Sequence, residues 1–133
     1  MIRKPRKKTE HPESRLQRSC VKWFRLQYPR VLLFAIPNGG DRSPVEAAIM
    51  QGEGVERGIP DLCLPRPKAS WHGLYLEAKI APNDLSPDQV EKIALLRAEG
   101  YRCEVFYTLD QFMEIVNNYL KLPDYGSTTG ENR

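Results

Sequence analysis

Hydrophobic residues recur at helical spacing near the start of the chain, directly after Pro12. Proline is favoured at the first position of a helix, because its fixed φ suits the helix and its missing N–H is not needed there. The spacing therefore predicts a helix that begins at Pro12 and buries one apolar stripe. The stripe consists of Leu16, Cys20, Trp23 and Phe24.

One acidic residue, Glu13, falls on this stripe at about 100° of rotation per residue. A carboxylate on the buried side of a helix is costly unless it has a partner, whereas one in the first turn can simply satisfy the helix-start amides. The sequence leaves both interpretations open. The opposite face of the helix is basic, which is typical of a solvated surface and also suits DNA. It carries Arg15, Arg18, Lys22 and Arg25.

Short apolar runs alternate with helix-capping patterns through the rest of the chain. Ser-Pro-x-Glu at 43–46 and Ser-Pro-x-Gln at 86–89 are capping boxes, which open helices. Turn residues separate the runs at 61–64 and 71–80, so we expect these two strands to pair as a hairpin. After the first helix the predicted elements are a buried strand at 31–36, a helix at 44–52, strands at 61–64 and 71–80, a helix at 87–99, a strand at 102–107 and a helix at 109–120.

Positive charge is concentrated at the start of the chain. Residues 1–8 carry five basic side chains, which leaves 15 basic and 17 acidic residues over 9–133, although the net charge is +3. A basic arm suits phosphate contacts and is equally typical of a solvated tail. With 41% hydrophobic and 28% charged residues, the 133-residue chain has the composition of one globular domain, which excludes a disordered or fibrous protein.

The three cysteines lie in apolar surroundings, about forty residues apart, with no C-x-x-C pattern. We therefore expect buried thiols in a reducing compartment rather than a zinc site. The longest apolar run, at 31–36, is far shorter than the ~20 residues that span a bilayer, and no apolar segment follows the basic N-terminus. These patterns predict a soluble, cytoplasmic protein with no membrane partner.

The candidate chemistry lies in the predicted hairpin. Strand periodicity places Glu77 and Lys79 on one face of the second strand, and the pairing brings Asp61, at the start of the first strand, beside them. Two carboxylates within a few ångströms repel each other unless a cation lies between them. An incomplete set of oxygen ligands suits Mg²⁺ or Mn²⁺, which leave positions open for water and a phosphate oxygen.

Lys79 has two conceivable roles beside such a pair. The carboxylates would stabilise its ammonium form, which disfavours a free-amine base and favours a group that holds the attacking water and neutralises charge on the phosphate. The alternative is a surface Glu-Lys pair with an unrelated Asp61, because Pro-Asp and Glu-x-Lys are short patterns that recur by chance.

Pro60-Asp61 followed by Glu77-Ala78-Lys79 fits the PD-(D/E)xK nuclease superfamily. The surrounding residues resemble one branch of it, the VRR-NUC family found in phages, bacteria and eukaryotic repair nucleases. The resemblance covers about residues 12–120 and is far more specific than the two short motifs. It rests on six ordered segments, namely Glu13-Ser14, Asn38-Gly39-Gly40-Asp41-Arg42, residues 52–62, residues 76–79, residues 85–89 and Gly100-Tyr101.

The resemblance implies roles for the residues of the hairpin. Asp61 and Glu77 would be ligands of Mg²⁺ or Mn²⁺, with the Ala78 carbonyl as a candidate third ligand. Glu13 would reach the metal from the first helix, which would explain an acid on its apolar face. Lys79 would be the catalytic lysine.

Further site residues follow from the same resemblance. Gln89 resembles the family's site-lining glutamine, but it also occupies the last position of the capping box after Ser86. We expect a glutamine to fill only one of these roles at a time, and the sequence does not decide between them. Asn38 and Arg42 look like residues that bind substrate or support the site, although Asn-Gly-Gly is also an ordinary turn.

The sequence shows no zinc finger, helicase motif or second DNA-binding domain, as in the stand-alone members that it resembles. These members are similar to homodimeric enzymes that cut four-way DNA junctions. A two-fold dimer would supply the two active sites that paired incisions need. We therefore expect a Mg²⁺- or Mn²⁺-dependent endodeoxyribonuclease, a homodimeric Holliday junction resolvase of a bacterial or phage-infected cell, with Arg15 and Arg18 contacting branched DNA.

Three alternatives remain at the level of sequence. The same active site would serve a flap or duplex endonuclease, and a silent site would leave a DNA-binding module. A hydrolase of small phosphates is disfavoured because the chain has no G-x-x-x-x-G-K-[ST] loop.

The expected fold class is α/β with a restriction-endonuclease-like core, in which a first helix and further flanking helices surround a mixed central β-sheet. We divide the chain into a basic arm at 1–11, a nuclease domain at 12–122 and a tail at 123–133. The tail is polar, and we expect it to be disordered.

Overall fold

The computed structural model describes residues 11–37 and 42–127. Within these ranges, four helices and four strands follow one another in the predicted order. The elements are α1 (Pro12–Gln27), β1 (Phe34–Ala35), α2 (Pro44–Gly52), β2 (Leu62–Leu64), β3 (Leu74–Ala78), α3 (Pro87–Ala98), β4 (Arg102–Phe106) and α4 (Leu109–Leu120).

The strands form one mixed sheet in the order β1-β2-β3-β4. β1 pairs antiparallel with β2, and β2 pairs antiparallel with β3 as the predicted hairpin. β3 pairs parallel with β4, and α3 forms the crossover between them. The start of β2 and the end of β3 therefore lie side by side at one end of the two central strands. The architecture matches the predicted α/β class with a mixed sheet and flanking helices.

One face of the sheet packs against α1 and α4. Leu76 and Ala78 of β3 are fully buried there, in a cluster that includes Cys20 and Phe24 of α1. Because side chains alternate along a strand, the intervening Glu77 points to the opposite face, where α3 contacts β4. The sheet thus has an apolar core face and a second face that carries charged groups.

The segment at 31–36, predicted as a buried strand, lies at the edge of the sheet. Only two of its residues pair with β2, which itself is three residues long. Leu33 is buried, but Leu32 and Phe34 are 62% and 41% exposed. The prediction of a buried strand is therefore wrong, because an apolar run does not reveal whether other elements cover the strand.

Residues 123–127 are hydrogen-bonded to the turn between β2 and β3. The Ala69 N–H donates to the Pro123 carbonyl at 2.7 Å, the Gly126 N–H donates to the Ala69 carbonyl at 3.2 Å, and Lys68 Nζ lies 3.3 Å from Asp124 Oδ1. These residues differ from the expected disordered tail, because the turn offers them backbone partners. Residues 128–133, and residues 1–10 of the basic arm, lie outside the described residues.

Candidate active site

Asp61 and Glu77 are held side by side by backbone hydrogen bonds. The Asp61 N–H donates to Glu77 Oε2 at 3.1 Å, and the Ala78 N–H donates to Asp61 Oδ2 at 3.0 Å. Each carboxylate therefore accepts a hydrogen bond from the segment that carries the other. This reciprocal contact joins the start of β2 to the end of β3 and brings together the pair that the sequence predicted.

Both carboxyl groups have raised pKa values. Burial, and then the charge of Asp61, raise the pKa of Glu77 from 4.5 to about 8, although Lys79 opposes the rise. Burial also raises the pKa of Asp61, against the hydrogen bond from Ala78. At neutral pH the pair therefore retains a proton, which reduces the repulsion between the two groups. A divalent cation between them would take the place of this proton.

The chemistry of this donor set fits Mg²⁺ or Mn²⁺. Such hard cations bind one or two carboxylates and keep several waters or phosphate oxygens. Asp61 and Glu77 supply the carboxylates, and the Ala78 carbonyl is the nearest backbone candidate along β3. No group of three His, Cys, Asp or Glu side chains in residues 11–37 and 42–127 is arranged to hold a metal ion. The described residues therefore fit a Mg²⁺ or Mn²⁺ site in which water and substrate oxygens would supply the remaining ligands.

Glu13 faces the carboxylate pair from the first turn of α1. It is half-buried, it lines the same cleft as Asp61 and Glu77, and its charge raises the pKa of both. The acid on the apolar stripe thus lies in the same cleft as the carboxylate pair, and its role as a metal ligand stays a prediction. The structure does not, however, bring it close enough to form a three-carboxylate metal group with the other two.

Lys79 follows directly after β3 and is 8% exposed. Its backbone N–H donates to the Phe106 carbonyl at 3.0 Å, which continues the parallel ladder between β3 and β4. Its charge lowers the pKa of both Asp61 and Glu77. The predicted lysine is therefore held by a backbone hydrogen bond of the sheet, and its charge acts on both carboxyl groups.

Gln89 fills both of the roles that the sequence treated as alternatives. Its Oε1 accepts from the Ser86 N–H at 2.9 Å, while the Ser86 Oγ accepts from the Gln89 N–H at 3.3 Å, so the capping box is complete. Its Nε2 donates to Glu77 Oε1 at 2.8 Å. The expectation of a single role is wrong, because a side-chain amide has an acceptor end and a donor end that work at the same time.

Gly58 brings the loop that leads to Asp61 against the first turn of α3. Its φ is +85°, and a Cβ at this position would lie 2.5 Å from the Asp88 carbonyl carbon and oxygen and 2.8 Å from the Gln89 nitrogen. Only glycine fits such a close approach. The loop that carries Asp61 and the helix turn that carries Gln89 therefore touch through their backbones.

An open cleft of about 440 Å³ lies over the carboxylate pair. Arg42, predicted to contact substrate, lines this cleft, and its guanidinium contacts the Met50 sulfur. Arg57 also lines the cleft, and the sequence-based search for site residues missed it. An exposed arginine in a loop follows no periodicity, and its only signal is its place four residues before Asp61.

The basic face of α1 lies outside this cleft. Arg15 and Arg18 are exposed, and neither lines the cleft. Arg18 instead lines a second groove, of about 560 Å³, between α1 and β1. The described residues that line it include no acid; they are Gln17, Arg18, Val21, Lys22, Arg25, Leu26 and Ala35. Asn38, the remaining predicted substrate residue, lies outside the described residues.

Comparisons with known proteins identify the family and the fold. A family model, described as the VRR-NUC domain, matches residues 8–109. A solved structure described as a VRR-NUC domain protein is 27% identical, with a TM-score of 0.75, over 88% of this chain and 94% of that chain. That match confirms the predicted α/β fold class. A search of curated proteins found no match. In the described ranges, no helix has the length and apolar character needed to cross a membrane.

Proposed function

Because the chain belongs to the VRR-NUC domain family, a family of nucleases that process DNA, we propose that it is a metal-dependent, structure-specific endodeoxyribonuclease. As a homodimer it would resolve four-way (Holliday) junctions in the cytoplasm of a bacterial or phage-infected cell. One observation carries the proposal: the buried carboxyl group of Glu77 and the half-buried carboxyl group of Asp61 line one cleft where β2 begins and β3 ends, and the buried Lys79 follows directly after β3.

Mg²⁺ or Mn²⁺ would be held by Asp61, Glu77 and the Ala78 carbonyl. When bound, such a cation acts as a Lewis acid on a phosphodiester oxygen and makes a coordinated water more acidic. Glu13 favours a cation at this place, because its negative charge lies in the same cleft. Gln89 keeps Glu77 oriented through the hydrogen bond to Oε1.

Lys79 holds the attacking water by donating a hydrogen bond from its ammonium group. The same charge neutralises the negative charge that develops on the phosphate during attack. Both roles need a lysine fixed at one place, and the ladder bond to Phe106 together with burial of the side chain supports this. Water attacks phosphorus and loses a proton to solvent, the bond from phosphorus to the sugar oxygen breaks, and that oxygen gains a proton from solvent.

DNA would lie over the cleft and along α1. Arg42 in the cleft and Arg15 and Arg18 on the helix are the proposed contacts, together with Asn38. The groove beside α1 supports such a path, because from Arg18 to Arg25 the helix rises by about 10 Å, which matches about three nucleotides of one strand.

The homodimer follows from the chemistry of a junction. One active site makes one incision, and two symmetric incisions need two sites related by a two-fold axis. The exposed apolar side chains of Phe34 on the edge strand β1 and of Leu32 just before it support a contact between protein chains.

The test is cleavage of labelled four-way junction, flap, single-stranded and linear duplex DNA in Mg²⁺, Mn²⁺ or EDTA. The native chain is compared with Lys79→Ala, and with Lys121→Ala as a matched control at the exposed end of α4. We expect paired, symmetric cuts in the junction that need the metal, disappear in Lys79→Ala and persist in Lys121→Ala. Sedimentation of the native chain should give a dimer.

Other outcomes separate the alternatives. Metal-dependent cutting of flaps or duplex instead of junctions would retain the active site and reject the resolvase. Binding of DNA without cutting in either metal would reject the enzyme and leave a DNA-binding module. Cleavage in Lys79→Ala at the native rate would reject the role of Lys79.

A further inference from the structure

We propose that Arg57 binds a phosphate of the cleaved DNA strand next to the scissile one, an inference that rests on the proposed nuclease function. Arg57 lines the cleft above Asp61 and Glu77. Across residues 11–37 and 42–127, no carboxylate forms an ion pair with its guanidinium. An arginine in a cleft with five acidic lining residues would be expected to pair with one of them.

Three of the five acidic residues that line the cleft are engaged with other partners. Glu56 forms an ion pair with Lys92 on α3, with Oε2 and Nζ 3.3 Å apart. Asp61 accepts the Ala78 N–H, and Glu77 accepts from Asp61 and Gln89. The five N–H donors of Arg57 are therefore available to an anion that enters the cleft. A planar guanidinium matches two oxygens of one phosphate, which a lysine does not.

Gly58 anchors the backbone directly after Arg57. Its α-carbon approaches the first turn of α3 so closely that a Cβ would meet Asp88 at 2.5 Å. Arg57 thus extends from a point fixed against α3 and not from a freely moving loop. A guanidinium on a fixed backbone loses less conformational entropy when it binds a phosphate.

The position of Arg57 favours a neighbouring phosphate over the scissile one. Asp61 follows Arg57 by four positions, a span of at most about 14 Å, and the turn at Gly58 shortens it. In the proposed reaction the oxygens of the scissile phosphate face the metal site and Lys79. Successive phosphates of one strand rise by about 3.4 Å each, so the next phosphates fall within reach of the arginine.

The test is a double-mutant cycle between protein and DNA. The native chain, Arg57→Ala and Arg57→Lys are compared on the DNA structure that the native chain cuts best, with Arg30→Ala as a matched control on an exposed loop at the far end of α1. Each phosphate that flanks the cut is replaced in turn by an uncharged methylphosphonate. Thermal unfolding of every variant checks that the fold is retained.

We expect Arg57→Ala to lower kcat/KM by roughly tenfold or more, Arg57→Lys to restore part of this, and Arg30→Ala to leave it unchanged. At one flanking phosphate, the methylphosphonate should cost the native chain the same factor and cost Arg57→Ala nothing further.

The assignment would be wrong if, at every flanking phosphate, the methylphosphonate lowered kcat/KM by the same factor in the native chain and in Arg57→Ala. It would also be wrong if Arg57→Ala had the same kcat/KM as Arg30→Ala. Either result leaves the nuclease intact. If the native chain cuts no DNA, the nuclease proposal fails by itself. Fluorescence anisotropy on the same methylphosphonate series then tests the contact through binding alone.

Discussion

The two faces of the central sheet use alternate residues of the same strand in different ways. On the core face, Leu76 and Ala78 are buried among apolar side chains of α1 and α4, which stabilises the fold by removing apolar surface from water. On the other face, Glu77 is 3% exposed and lies beside Asp61, where burial of charge is unfavourable. The core face therefore stabilises the hairpin that holds an intrinsically unfavourable site together.

Asp61→Asn should give the largest and most informative effect. Its Oδ1 can still accept the Ala78 N–H, and its amide can donate to Glu77 in place of the proton that the pair retains. We expect cleavage to fall by about a thousandfold or more, and the free energy of unfolding at pH 7.5 to rise by about 1 kcal/mol. Single-turnover cleavage and urea denaturation measure the two effects.

Glu114→Gln on the exposed side of α4 is the control for loss of one negative charge. It should leave both quantities nearly unchanged. If Asp61→Asn proves less stable than the native chain, the carboxylate pair on the Glu77 face does not lower the free energy of unfolding. The contrast between a stabilising core face and a destabilising second face would then be wrong.

Leu76→Ala should have the opposite pattern. Removal of a fully buried leucine leaves a cavity, and we expect the free energy of unfolding to fall by about 3 kcal/mol. Cleavage per folded molecule, measured at low temperature, should remain within a few-fold of native. Leu95→Ala is the matched control, because Leu95 is 55% exposed, and should change stability by less than about 0.5 kcal/mol.

Stability without metal should depend on pH through Glu77. Its pKa is about 8 in the folded chain against a reference value of 4.5, so the folded state binds the proton more tightly between these values. The free energy of unfolding should therefore fall as pH rises from about 5 to 8, by on the order of 2 kcal/mol, and then level off. Urea denaturation in EDTA measures it.

Two additions sharpen the pH experiment. The decline should be smaller in Asp61→Asn, because the charge that raises the pKa of Glu77 is gone. Mg²⁺ at pH 8 should restore stability, because an ion that binds only the folded state stabilises it. A free energy of unfolding that rises between pH 5 and 8 would show that Glu77 is not buried as a carboxyl group.

The smallest effects should separate the two ends of the Gln89 amide. Gln89→Glu keeps an acceptor for the Ser86 N–H but replaces the donor to Glu77 with a second carboxylate, so we expect cleavage to fall by roughly tenfold and stability at neutral pH to fall as well. Ser86→Ala removes the cap on the other side, and should cost about 1 kcal/mol of stability, while cleavage is kept at low temperature, where the first turn of α3 stays wound. Equal effects of both changes on cleavage would contradict the division.

The features that the sequence could predict depend on neighbours along the chain. Alternation of side chains and a turn between two short runs place Asp61 beside Glu77, and helical periodicity places Glu13 on the apolar stripe of α1, at the end that borders the cleft. Capping residues locate the start of α3 at Ser86. These rules depend only on residues close together in the chain, so a single sequence is enough to apply them.

The features that could not be predicted depend on which elements lie next to each other. The exposure of Phe34 follows from the place of β1 at the edge of the sheet, and an apolar run carries no signal of strand order. The double role of Gln89 needs Glu77 at its donor end, twelve residues away in the chain. Arg57 can be recognised as a candidate site residue only when the structure shows that it lines the cleft.

The Gln89 amide connects the first turn of α3 to the orientation of the Glu77 carboxyl group. Ends of helices open locally at a lower free energy than the whole fold. When the first turn of α3 frays, the hydrogen bond that orients Glu77 is lost in the same event. On warming, we therefore expect cleavage to decline at temperatures where circular dichroism still reports an intact protein, and we expect this one turn of helix to set the upper temperature for cleavage.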